Sequence, residues 1–302
     1  LKPGLKSRRK TFPDKNAKPE IALARTEFWM LYGFRQLHEI ADVLENTEEF
    51  REIMPDFRQR LIATGDNDKA QEALLSELYE KIMRMDQGEV DTILGKLINR
   101  LEKDETLRAA NGAAKKRPGY WALKAAKEPS LRDENKEKYN RGLFSIYLLN
   151  IVKLNPGQYV YQPAGMLHAY LEGRITELVG PSDNVMRGGL TGKYMDIDGL
   201  LRILKFKSVV PDIRNGDRIS PAETVYAPAG SQLQASRITI TANEAHTGYA
   251  RTGGVLTLMD GEATVTAGDT TLPLAKGDGF LMIAGMSYTI ATNSHATLDK
   301  GT

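Results

Sequence analysis

The chain has 302 residues, with 41 Lys and Arg against 39 Asp and Glu; five of the basic residues fall in the first ten, LKPGLKSRRK, which leaves 36 against 39 over the remainder. Phosphate backbones are held by clustered positive surface on a folded unit, so this balance argues against a nucleic-acid partner, and the basic head reads as a solvated, mobile end. The lack of any cysteine excludes disulfides, thiolate metal sites and cysteine nucleophiles together.

No window approaches the roughly 18 consecutive apolar residues of a spanning helix, and the N-terminus has no charged-then-apolar signal pattern. A cytoplasmic enzyme or binding protein with no membrane partner is expected. With 41% hydrophobic residues the chain can fill more than one core, since single cores stop growing near 250–300 residues, and more than one domain follows.

In chain order, the stretch from about Glu27 to Asp104 has helical character. Ala70, Leu74, Leu75, Leu78, Ile82 and Met83, then Val90, Ile93, Leu94, Leu97, Ile98 and Leu101, recur at three-to-four-residue spacing, which predicts amphipathic helices packed on one another. Asp66 and Asp68 can cap the first run, and Gly88 marks the break before the second. Leu107–Asn140 is charged, with Pro118 and Pro129 interrupting any long helix.

From about Gly142 the pattern changes to short β-type runs: SIYLLNIVKL, YVYQPAG and RITELVG. After Pro211 come SRITITA, GGVLTLMDG, EATVTAG, TTLPLAKGD, GFLMIAG and SYTIAT. Runs of this length punctuated by Gly, Asp-Gly and Asn predict barrels or jelly rolls. A boundary is expected between Pro211 and Pro228. The expected division is a central unit of residues 1–26 and 141–212, a helical insert of 27–140, and a C-terminal unit of 213–302.

One segment, KLNPGQYVYQPAGMLHAYLEG, spaces Gly157, Pro163, Gly165 and His168 as Gly-x5-Pro-x-Gly-x2-His. Gly157 suits a turn into a strand, Pro163-Ala-Gly165 a second tight turn, and His168 then begins a strand with its imidazole directed inward. A neutral inward imidazole is a natural ligand for zinc; a histidine hydrogen-bonded within a packed barrel describes the position equally well. The spacing resembles the second motif of the cupin superfamily. Gly277, Ile283, Gly285 and Tyr288 repeat it with Pro and His replaced, so the second barrel reads as a degenerate, metal-free copy.

ELVGPSDNVMRGGLTGKYMDIDGL (177–200), PAGMLHAYLEG and KPEIALARTEFWMLYGFR (18–35) together resemble the type I mannose-6-phosphate isomerases, a cupin family, over most of residues 11–210 and more weakly beyond. The resemblance implies a mainly β fold with a helical insert: cupin-type jelly-roll barrels, one holding the metal site and one degenerate, plus an α-helical domain. It also implies one zinc ion and the interconversion of mannose 6-phosphate and fructose 6-phosphate through a cis-enediol, by a monomer acting on a small sugar phosphate.

Carried over residue by residue, the resemblance makes Glu20 of KPE and His168 of PAG-x-x-HAY zinc ligands, Arg187 and Asp183 of SDNVMR catalytic, and Lys18 and Lys193 substrate-binding. Plainer readings stand beside these. Glu20 alone is a solvated loop acid, Arg187 and Asp183 are spaced for an ion pair, and both lysines suit a surface. The family's further ligands, a Gln-x-His pair, lie upstream of KPE by more than the nineteen residues present, so the resemblance implies that this chain lacks an N-terminal segment. Gln36-Leu37-His38 imitates the pair but falls after KPE, where a helix is expected to start. Ala17 stands where many relatives carry His before KPE. A non-catalytic cupin that binds a sugar phosphate or metabolite is the alternative, because two remaining ligands would hold zinc poorly.

Overall fold

The computed structural model describes residues 14–108, 112–131 and 139–302. The basic head, expected to be a solvated end, lies outside the described residues. Two strands come first, β1 (Glu20–Ala24) and β2 (Phe28–Phe34), and every residue of both is buried. A strand covered on both faces reads as a continuous apolar run rather than an alternating one. Periodicity does not separate such a run from a short buried helix, which is why the helical stretch expected from Glu27 opens instead with strand FWMLYGF.

Helices α1 (Leu37–Asn46), α2 (Phe57–Thr64), α3 (Asp68–Arg84) and α4 (Gln87–Leu101) follow. Asn67, between the two aspartates expected as caps, accepts from the Ala70 amide at 3.2 Å and starts α3. Asp86 does the same for Gly88 at 2.8 Å, so the break precedes Gly88 and the glycine lies in the first turn of α4. Pro118 opens α5 (Pro118–Ala126) rather than interrupting a helix, because at the first helical turn its missing N–H has no intrahelical role. The apolar stripes of α3 and α4 join Trp29, Leu31 and Phe34 of β2 in one core, each fully buried large side chain there contributing about 1.5–3 kcal/mol.

The run SIYLLNIVKL divides between α6 (Gly142–Leu148) and β3 (Leu149–Leu154). All of α6 is buried, which erases the helical period that would have revealed it. Then come β4 (Gln158–Gln162), β5 (His168–Glu172) and β6 (Ile175–Val179). Antiparallel sheets β6-β1-β4 and β3-β2-β5 face each other and meet through Ala22, Met30, Val152 and Val160. A long irregular loop leads from β6 to α7 (Ile197–Ile203), and β7 (Arg214–Asn215) extends the first sheet at β4.

Strands β8 (Asp217–Arg218), β9 (Glu223–Tyr226), β10 (Ala235–Thr241), β11 (Ala245–Tyr249), β12 (Gly254–Gly261), β13 (Ala263–Ala267), β14 (Thr270–Leu274), β15 (Gly279–Met282), β16 (Ser287–Ala291) and β17 (His295–Gly301) form a second unit. Its sheets, β15-β12-β17-β10-β9-β8 and β11-β16-β13-β14, enclose Ile238, Leu256, Leu258, Ile290 and Leu298. The repeated glycine spacing makes the same turns in both units: φ is +84° and +82° at Gly157 and Gly165, and +97° and +86° at Gly277 and Gly285. Among the described residues no helix is long and apolar enough to cross a membrane.

The two β units are joined through one carboxylate. Asp299 on β17, 5% exposed, accepts from Arg237 at 2.8 and 3.1 Å, from Arg25 just after β1 at 2.9 Å, and from Thr176 on β6. Ile21, Leu23, Tyr159, Tyr226 and Ala235 pack beside it. Inside the second unit a smaller polar group persists, with Lys300 Nζ 2.6 Å from Glu223 Oε1 and His246 Nε2 3.5 Å from Glu223 Oε2. Burial holds the His246 imidazole below its usual range; Glu223 opposes this and Lys300 adds to it.

Removing the clamp strands two guanidinium groups at a covered interface. Asp299→Ala is expected to cost about 3–5 kcal/mol, read from the denaturant unfolding midpoint at constant m-value. For His246, the folded state resists a proton that the unfolded chain accepts near 6.5, so acid favours unfolding. The unfolding free energy should therefore fall as pH drops below about 6.5, and His246→Gln should flatten that slope. An unchanged slope would show that His246 does not titrate in the barrel.

Candidate functional site

A cavity of 660 Å³ opens at the end of the first barrel, where the inward faces of β1, β4, β5 and β6 turn from apolar to polar. The turn before β5 sets one wall. Gly165 takes φ +82°, and a Cβ there would meet the Ile203 carbonyl oxygen at 3.0 Å. This turn delivers His168 as the first residue of β5, paired with Tyr32 of β2. Its Nδ1 lies 3.0 Å from the Met166 carbonyl oxygen. A carbonyl only accepts, so Nδ1 carries the hydrogen, and in the neutral ring Nε2 presents a lone pair.

That lone pair faces Glu20 Oε2 at 3.2 Å. Glu20 begins β1, is 7% exposed, and places its other oxygen 3.1 Å from Lys18 Nζ. Burial pushes the Glu20 carboxyl up, but Lys18 and a hydrogen bond from the His168 ring, when a proton sits on Nε2, outweigh it and hold the group below the usual carboxylate range. An ionised carboxylate and an imidazole lone pair brought this close call for a cation between them, as a ring proton or a metal ion. An imidazole that donates its other N–H to a backbone carbonyl is in the tautomer that metal ions take. The pair supplies two of the donors a zinc-like ion requires; among the described residues no group of three or more His, Cys, Asp and Glu gathers to hold a metal.

Three groups the sequence reading did not single out share this end of the barrel. Gln162 closes β4, Tyr170 lies on β5, and Glu177 lies on β6. Tyr170 donates to Glu177 Oε1 at 2.5 Å and accepts from Gln162 Nε2 at 2.8 Å. Burial and the adjacent carboxylate hold the Tyr170 phenol well above its usual range, so it stays protonated. Strand alternation from His168 points to Tyr170. A charge within the otherwise apolar-facing ITELV was the available signal for Glu177.

Arg187 and Lys193 reach the cavity from the irregular loop after β6. The helical layer pins that loop. Tyr79 of α3, its phenol pushed up to about 12 by burial, donates to the Gly188 carbonyl at 3.2 Å. Asn140 Oδ1 accepts from the Gly142 and Leu190 amides at 2.8 and 3.0 Å, and its Nδ2 donates to the Thr191 carbonyl at 2.8 Å. Gly142 lies so close to the loop that a Cβ would come within 2.2 Å of the Leu190 nitrogen.

Among the described residues, Arg187 and Lys193 have no side-chain hydrogen-bond or ion-pair partner, and no ion pair joins Arg187 to Asp183. Asp183 is exposed and is not among the residues that line the cavity; its backbone N–H donates to Asp14 Oδ2 at 3.3 Å. Gln36 and His38 lie at the start of α1, outside the cavity lining. The structure thus brings Lys18, Glu20, His168, Arg187 and Lys193 to one cavity and leaves Asp183 at its rim. Chemically, the arrangement offers a carboxylate–imidazole pair, a second carboxylate hydrogen-bonded to a tyrosine, and two cationic side chains without a partner among the described residues.

No family model matches the chain. It is homologous over most of its length to curated mannose-6-phosphate isomerases. It is 28% identical over 272 residues to a probable mannose-6-phosphate isomerase of Caenorhabditis elegans, covering 89% of this chain and 62% of that one. It is 28% identical over 291 residues to mannose-6-phosphate isomerase 1 of Arabidopsis thaliana, covering 95% and 64%. The chain therefore spans just under two thirds of the length of these relatives. A crystal structure of mannose 6-phosphate isomerase bound with zinc and yttrium shares the fold, with a TM-score of 0.65 and 24% identity over 96% of this chain and 67% of that one.

Because Gly165 holds a left-handed conformation, Gly165→Ala is expected to cost about 1–2 kcal/mol, seen as a lowered thermal midpoint. Ala at Gly112, where a Cβ meets nothing within 4 Å and no positive φ applies, is the control and should leave the midpoint in place.

Proposed function

We propose that this cavity interconverts mannose 6-phosphate and fructose 6-phosphate, moving a proton between C1 and C2 through a cis-enediol with zinc as cofactor. The observation that carries this reading is the facing of Glu20 Oε2 and His168 Nε2 at 3.2 Å in a cavity also lined by Arg187 and Lys193, which among the described residues have no side-chain partner. The homologues and the zinc in a structure of the same fold support it.

Glu20 and His168 would hold the zinc, which when bound supplies Lewis-acid polarisation of a substrate oxygen. Arg187 keeps a fixed positive charge where negative charge develops on the enediolate oxygen, a stabilisation that grows as the proton leaves. Glu177, oriented by the Tyr170 hydroxyl, is the carboxylate placed to hold the proton in transit between the two carbons. Lys193, with its ammonium exposed on the loop, suits the substrate phosphate. Lys18, tied to Glu20, orients a substrate hydroxyl beside it. Asp183, at the rim, is assigned no step.

The test is conversion of mannose 6-phosphate by the purified chain, with zinc and after chelation. Chelation should abolish turnover and zinc restore it, and Arg187→Ala should lower kcat by about 10²–10³. Normal turnover in the Arg187→Ala variant would remove the role given to that residue. A second reading, a barrel that binds the sugar phosphate without converting it, is favoured by the two-membered ligand set among His, Cys, Asp and Glu. Saturable binding of mannose 6-phosphate without turnover at any zinc concentration would select it.

A further inference from the structure

We infer that Gln162 is a third protein ligand of the cation site, its side-chain carbonyl oxygen joining Glu20 Oε2 and His168 Nε2. This rests on the metal-dependent reading above and adds an amide oxygen to the carboxylate and the imidazole. Gln162 and Glu20 are directly opposed in the β1–β4 pair. Directly opposed residues share a face, with Cβ atoms about 4.5–5.5 Å apart. The face is the inward one, since Ala22 and Val160, two positions along each strand, lie in the barrel core.

The direction of the amide follows from its partners. The Tyr170 hydroxyl has one hydrogen and gives it to Glu177 Oε1 at 2.5 Å. The Gln162 atom 2.8 Å from that hydroxyl oxygen is therefore the NH₂ group, which donates. The carbonyl oxygen is turned away from Tyr170. Gln162 is 1% exposed, and among the described residues its buried Oε1 has no hydrogen-bond partner, nor has Glu20 Oε2.

A buried acceptor left unpaired costs about 1–3 kcal/mol. Here two such oxygens stand on adjacent, opposed residues, and the lone pair of His168 meets one of them. Acceptors without a donor between them are the condition a cation relieves. The nearest ammonium, Lys18, is directed to the other oxygen of Glu20. Carboxylate, amide carbonyl and imidazole are oxygen and nitrogen donors that divalent ions accept, and three protein ligands leave a position open for substrate or water.

The experiment is titration of zinc into the whole chain against a chromophoric chelator, for wild type, Gln162→Leu, Gln162→Glu and Tyr170→Phe, with the visible spectrum of the cobalt(II)-loaded forms recorded in parallel. Gln162→Leu should weaken zinc binding by more than the roughly tenfold to hundredfold that loss of an outer partner costs and alter the cobalt spectrum. Gln162→Glu, which keeps an oxygen in place, should bind zinc at least as tightly as wild type, showing that the site still folds. Tyr170→Phe, which loses the amide's anchor and keeps its oxygen, should cost less than the Leu change.

Wild-type affinity in Gln162→Leu would overturn the inference and leave the isomerase reading standing. Equal losses in the Leu and Phe variants would also overturn it, because Gln162 would then act through Tyr170. No zinc uptake by wild type would remove the metal from both readings, and turnover of mannose 6-phosphate would then stand or fall by its own assay.

Discussion

Strand β1 is covered on both faces, and the rest of the molecule is arranged around that constraint. Ile21 and Leu23 face outward against Tyr226 and Ala235 of the second β unit, while Ala22 and Ala24 face the barrel core. Strand side chains alternate with a period of two, so a slip of one residue would send every inward group outward. With different walls on the two sides, such a slip would place Glu20 against apolar surface and Ile21 in the cavity. The register that packs the strand is thus the same register that presents the carboxylate.

Strand β2 obeys the same rule with a different neighbour, its Trp29, Leu31 and Phe34 packing against the helices and its Phe28, Met30 and Tyr32 against the barrel. The helical layer consequently has two roles. It closes the outer face of the barrel, and Tyr79, with Asn140 just before α6, holds the loop bearing Arg187. The acceptors of the site come from strands and its arginine and Lys193 from a loop that the helical layer restrains, so the two halves of the chemistry depend on separate packing surfaces.

How much of this was legible in the sequence followed from what covers each segment. Helices α3 and α4 announced themselves because one face of each is exposed, and the strands after Pro211 because they alternate. Strand β2 and helix α6 did not, since full burial removes the polar positions that mark a period. The turn at Gly157–Gly165 was readable because a positive φ needs glycine. Glu20 and His168 were reached by motif. Gln162 and Glu177 were not, because their place depends on strand pairing between β1 and segments some 140 to 155 residues later, which spacing within a segment does not encode.

The Arg25–Asp299 contact closes a loop of 274 positions, and that separation bears on how the protein is made. A ribosome adds about 5–20 residues per second, so after β1 emerges the Asp299 that clamps Arg25 follows on the order of fifteen seconds to a minute later. Until β9 and β10 have been made, the outward side chains Ile21 and Leu23 lack Tyr226 and Ala235, and the nascent barrel presents an apolar sheet surface to solvent or to any chaperone that meets it. The first barrel can gather its own interior early, yet its exterior is covered only as the second β unit follows, and it is clamped only when synthesis has nearly finished.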